Sequence, residues 1–165
     1  MSRYPTDTGE ACIIRVTDLV WIGESSDLDP GAEDRIHPAF QGIKVVFNCA
    51  ADLDTHNLFG DVVEYVHLGL VDGPGNTMAD YHAALLKLCG ILCKKQRVMV
   101  HDHEIGSRTV ALVIMALHAM YRRGWDYWLG IIREKTNKSD LTPHLEHRKA
   151  FNRVNWRLVS SILEE

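Results

Sequence analysis

The sequence predicts one α/β domain, with a mixed or parallel sheet of about four or five strands flanked by helices. Three observations predict it. Val98-Met99-Val100 is an apolar run of strand length that feeds a short loop and then a nearly unbroken apolar stretch from Ser107 to Arg123. Ile43-Lys44-Val45-Val46-Phe47 and Val62 to Leu68 are further β-rich runs,. The order of segments is strands, one helix, a strand, then several helices, which suits a sheet covered on its faces.

Taken in order, residues 1–10 read as a polar tail and 11–165 as the domain. Cys12 to Val16 and Leu19 to Gly23 are strand-like, joined by the turn pair Thr17-Asp18. Asp27 to Gln41 is irregular, with a short helix possible between Pro30 and Pro38. The run Ile43 to Phe47 is a buried central strand, and Asp52 to Gly60 is a loop. Gly73-Pro74-Gly75-Asn76 is turn chemistry. Met78 to Lys95 is an amphipathic helix, with Met78, His82, Leu85, Leu88 and Leu92 on one face. Ser107 to Arg123 is a buried helix that Gly124 stops. Trp125 to Lys135 is another helix. Thr142-Pro143 reads as an N-cap and first helical position, opening one last helix toward Leu163.

With 165 residues the chain is long enough for a full core without disulfides,. A net charge of -4 gives no bulk attraction to nucleic acid or anionic membrane, so neither is expected as a partner,. No apolar run reaches membrane-spanning length, and Met1–Glu10 carries no signal-peptide pattern. Cys12, Cys49, Cys89 and Cys93 form no C-x-x-C pair. They read as free thiols in a reducing compartment, so a cytoplasmic location is expected. The four tryptophans read as packing residues.

The chemistry concentrates in His101-Asp102-His103-Glu104-Ile105-Gly106-Ser107-Arg108-Thr109. A loop between a strand and a helix N-terminus is an anion site, because the first helical N–H groups have no partners. The spacing resembles the signature loop of cysteine-dependent dual-specificity protein phosphatases, H-C-x-x-G-x-S-R-(S/T). Further segments are similar to that family. Thr17-Asp18-Leu19-Val20-Trp21-Ile22-Gly23 resembles its opening strand, and Gly42 to Asn48 resembles G-I-T-H-V-L-N. Tyr65 to Asp72 resembles Y-x-x-(I/L)-P-x-x-D, with Gly69 where the family usually has Pro. Ala111 to Ala116 continues the helix after Ser107-Arg108-Thr109. Leu141-Thr142-Pro143-His144, with Phe151 beyond, is similar to x-x-P-N-x-G-F. The resemblance spans about Ile13 to Ser161.

The resemblance implies a dual-specificity phosphatase fold and a role for each matching residue. Asp102 stands at the nucleophile position, Arg108 at the phosphate clamp and Asp72 at the general acid. Thr109 supplies the hydroxyl after the Arg. His103, Glu104, Ile105, Gly106, Ser107 and Arg108 form the phosphate-binding loop, and His101 is a structural hydrogen-bonding residue. No metal and no cofactor is implied. Phosphorylated proteins are the implied partners.

Two departures redirect the reading. Asp102 replaces the cysteine whose thiolate attacks phosphorus, and a carboxylate is a much poorer nucleophile toward a phosphomonoester. Ile105 stands at the family's glycine, where a β-branched residue does not readily take positive φ. A designed inactivation would change the cysteine alone, so Ile105 favours natural divergence over an engineered Asp102. The expectation is a catalytically impaired, pseudophosphatase-like protein that binds phosphoproteins or acts as a scaffold. The alternative is a phosphate-ester hydrolase of the protein tyrosine/serine/threonine phosphatase type, working by a modified route through Asp102 or carrying Asp102 as an engineered replacement of the cysteine. Asp102 is also expected to pair with Arg108 and to accept loop N–H bonds, mimicking phosphate. At about 4 Å such a pair attracts by roughly 4 kcal/mol at a surface-like dielectric.

Overall fold

In the computed structural model, the described residues are 3–5, 11–24, 42–52, 63–102 and 106–163. The strands are β1 (Arg3–Pro5), β2 (Ala11–Arg15), β3 (Val20–Glu24), β4 (Val45–Ala50), β5 (Glu64–Leu70) and β6 (Val98–Asp102). The helices are α1 (Met78–Cys93), α2 (Ser107–Tyr121), α3 (Trp125–Thr136), α4 (Leu145–Phe151) and α5 (Trp156–Leu163).

The strands form one mixed sheet in the order β1-β2-β3-β6-β4-β5. β6 lies parallel between β3 and β4, which explains why all five of its residues are buried,. Its side chains alternate between two cores. Val98 and Val100 join the larger core with α1, α2 and α3, while Met99 joins Ile13, Trp21, Ile43, Val46 and Val63 on the opposite face,. Among the described residues the sheet has six strands: the five of the expected mixed sheet and the three-residue edge strand β1, which falls in the segment read as a tail and pairs antiparallel with β2.

α2 is the central helix. Every residue from Arg108 to Leu117 is buried, and the helix touches α1, α3, α4 and α5 as well as β4 and β6. Enclosure on all sides lets Val110, Val113 and Ile114 stay helical despite their β-branched side chains. Its stop differs from expectation: Arg122, at φ 57°, is the left-handed cap. Gly124, at φ 89°, instead opens α3.

The single last helix predicted from Thr142-Pro143 is two helices, α4 and α5, separated at Asn152–Asn155. Thr142 is not the cap, because its hydroxyl donates to the Asp140 carbonyl and accepts from Arg133 Nη2. His144 is the cap, its Nδ1 accepting the Glu146 N–H at 3.0 Å. The irregular segment Asp27 to Gln41 lies outside the described residues. So does most of the Asp52–Gly60 loop.

Candidate functional site

Parallel strands leave their carboxyl ends at one edge of the sheet, and in α/β folds ligands bind there. β4 ends at Ala50 and β6 at Asp102, so Asp52 and Asp102 follow adjacent strands to this edge. The turn after β5 adds Asp72, and α2 starts here with Ser107, Arg108 and Thr109. His103, Glu104 and Ile105 lie outside the described residues. The remaining sequence-predicted residues meet at this edge.

Asp102 is the last residue of β6 rather than a loop residue, and only 2% of its surface is exposed. Its Oδ2 accepts the Thr109 N–H at 3.2 Å, while Oδ1 has no hydrogen-bond partner among the described residues. Gly106, the N-cap of α2, has no side chain to satisfy the first turn. Asp102 therefore takes the acceptor role an Asp or Ser N-cap would fill, since Thr109 is the third helical residue. Burial pushes the Asp102 carboxyl up from its ordinary range, opposed by the Thr109 N–H and the charge of Arg108,.

Arg108 does not pair with Asp102. Its Nη1 donates to Asp52 Oδ1 at 2.9 Å and to the Leu70 carbonyl at 3.1 Å. The guanidinium is buried, its Nε has no hydrogen-bond partner among the described residues, and Asp52 is largely exposed. The expected phosphate mimicry is thus divided: Asp102 caps the helix, and a second carboxylate, Asp52, holds the arginine. Asp52 sits at the adjacent strand end with its carboxylate largely solvated, whereas Asp102 is buried.

The second layer is structural. His101 is fully buried, with Nδ1 3.1 Å from the Asp102 carbonyl. The Cys49 thiol donates to the His101 carbonyl at 3.3 Å and lies 3.6 Å from Thr109 Oγ1. Burial, reinforced by the nearby Asp102 charge, raises the Cys49 thiol well above its usual range, so it is no substitute nucleophile,. Cys89 is likewise pushed up to about 12 by burial. Ser107 Oγ accepts the His144 N–H, joining the start of α2 to the start of α4.

Asp72 lies in the turn after β5. Asn76 closes that turn at its neck: Val71 N–H donates to Asn76 Oδ1 at 2.8 Å, and Asn76 Nδ2 donates to the Val71 carbonyl at 2.7 Å. Asp72 Oδ1 is 3.5 Å from Nε2 of the fully buried His147. Sequence reasoning missed Asp52, Asn76, Cys49 and His147. Position after a parallel strand could have flagged Asp52; nothing local marks His147.

No family model and no curated protein matches the sequence. Solved structures match it in three dimensions. Human DUSP28 is 13% identical, covers 100% of both chains and has a TM-score of 0.70. The human tyrosine phosphatase-like serine/threonine/tyrosine-interacting protein is 16% identical over 86% of this chain and 93% of its own, TM-score 0.70. A mouse putative dual specificity phosphatase, solved with zinc tungstate, is 14% identical over 92% and 91%, TM-score 0.69. The chain accordingly has the single-domain α/β fold of the dual-specificity and tyrosine-phosphatase-like phosphatases.

Proposed function

We propose that this protein is a catalytically impaired phosphatase-like protein, a pseudophosphatase, that binds phosphorylated proteins without hydrolysing them. One observation carries the reading. At the position the family resemblance gives to the attacking thiolate, a buried carboxyl group caps α2 through Thr109. That carboxyl is spent as an internal hydrogen-bond acceptor, and its burial disfavours the charged form a nucleophile needs,. The name of one structural neighbour, an interacting protein, agrees with a binding role.

Arg108 is the group that would take a phosphoryl oxygen, and a ligand must first displace Asp52 from it,. Binding is therefore weak. Calorimetric titration with phosphotyrosyl and phosphothreonyl peptides tests this, with released phosphate assayed in the same cell. Measurable binding without phosphate release is expected. Arg108→Ala is expected to weaken it by about 10- to 100-fold, the worth of a charge-assisted hydrogen bond. Asp52→Asn is expected to tighten it by roughly two- to fivefold, the scale of an exposed ion pair. Phosphate release that Asp102→Asn abolishes would establish a hydrolase instead. No binding and no release would leave a vestigial pocket on an interaction domain.

Restoring the thiol alone is not expected to restore the enzyme. Asp102→Cys should remain at least about 100-fold below an active family member, because transition-state stabilisation needs the clamp and cradle as well as the nucleophile. Asp52 still holds Arg108 in that variant, and Ile105 still stands at the family's glycine. Full activity in Asp102→Cys on aryl phosphate would contradict this.

A further inference from the structure

His147 is a fully buried imidazole with two polar neighbours, one on each nitrogen. Nδ1 lies 2.6 Å from Tyr81 Oη, and Nε2 lies 3.5 Å from Asp72 Oδ1. The protons along this chain can be assigned. The Val71 N–H must donate to Asn76 Oδ1, so the other end of the Asn76 amide is the donor, and it reaches Tyr81 Oη at 3.4 Å. Tyr81 is itself buried, and among the described residues the only acceptor for its hydroxyl proton is His147 Nδ1. Nδ1 is then unprotonated, and the imidazole proton sits on Nε2, facing Asp72. The direction of donation runs from Asn76 to Tyr81 to His147, whose Nε2–H then faces Asp72 Oδ1 across 3.5 Å, a close polar contact longer than a well-formed hydrogen bond,. This chain of contacts starts and ends on the same loop and passes through α1 and α4.

We propose that His147 is a positioning residue for Asp72: its neutral Nε2–H form ties the 71–76 loop to α4 and fixes the Asp72 carboxylate at the rim of the candidate site. Its bearing on ligand contact rests on the function proposed above. Two neighbouring contacts support the docking. Gly73 packs against the His144 ring, where an added Cβ would come within 3.3 Å of Nε2. Arg108 holds the Leu70 carbonyl just before the loop. Burial lowers the His147 pKa, with His144 and Arg108 acting in the same sense and Asp72 against it,. A neutral ring follows.

Long-range proton–nitrogen NMR on the full chain at neutral pH tests the assignment. A neutral His147 protonated at Nε2 is expected; a ring protonated at Nδ1 overturns it. Amide hydrogen exchange gives the second readout. His147→Phe is expected to speed exchange across residues 71–76 by about tenfold, leaving β4 and β6 unchanged. His147→Gln, whose amide N–H can still reach Asp72, should recover part of that protection. If His147→Phe does not fold, Asp72→Ala serves, since Asp72 is half-exposed and alanine leaves His147 Nε2–H no acceptor there, and the same loop acceleration is expected,. Unchanged loop exchange in these variants overturns the proposal. Neither readout uses a phosphorylated ligand, so failure of phosphopeptide binding would defeat the proposed function alone.

Discussion

Replacing Asp102 by Asn is expected to stabilise the fold at neutral pH by about 1–3 kcal/mol, the range for an imperfectly satisfied buried polar group. For a chain of this length that is a Tm increase of roughly 2–10 °C. Burial raises the Asp102 carboxyl above its ordinary value of 3.8, so the folded state favours the protonated acid. Its contribution is fully present below pH 3.8 and is lost as pH rises through the folded value,. At pH 7 the carboxylate weakens the fold. Asn keeps an acceptor for the Thr109 N–H and carries no charge to desolvate. The gain should therefore shrink as pH falls and vanish below 3.8. Burial shifts His118 and His147 the opposite way, so stability also falls as pH drops below 6.5, where the unfolded imidazoles take up protons first,. That loss is common to both proteins and cancels in the comparison. Thermal melts from pH 8 to pH 3 check the prediction. An Asn variant less stable at pH 7 would mean that the charge at the α2 N-terminus outweighs its burial.

Gly69→Ala is expected to cost about 3 kcal/mol or more, at the upper end for overpacking, and to lower Tm accordingly. A Cβ at Gly69 would stand 2.3 Å from Ala51 Cα and 2.6 Å from Ala51 N. Those are backbone atoms, so no side chain can swing aside. The strands are pinned at this point because Ala51 N–H donates to the Leu70 carbonyl at 3.0 Å, beside a register shift between Asn48 and Ala50. Moving Ala51 also moves Asp52, one residue on, and through it Arg108. Urea unfolding measures the cost directly. A loss below about 1 kcal/mol would show that the β4–β5 contact can open without penalty.

The elements that were legible in the sequence are those whose burial is nearly complete. β6 and α2 are legible because both are buried along nearly their whole length and are largely apolar. What escaped depends on contacts distant in the chain. Arg108 was expected on Asp102, six residues away, yet its partner Asp52 is 56 positions distant on another strand end. Thr142-Pro143 has the same composition as a helix start, and only the hydrogen bonds of Thr142 show that it is occupied elsewhere. β1 is three residues long, and nothing but pairing with β2 makes it a strand. His147 reads as an ordinary polar helix residue until Tyr81 and Asp72 close over it.

The most direct test of the central claim is a phosphate-release assay on the full chain with a generic aryl phosphate and a phosphotyrosine peptide, run beside Asp102→Asn. The account predicts no release above the uncatalysed rate from either protein. Turnover by the unaltered chain that Asp102→Asn abolishes would contradict it and make Asp102 a working nucleophile.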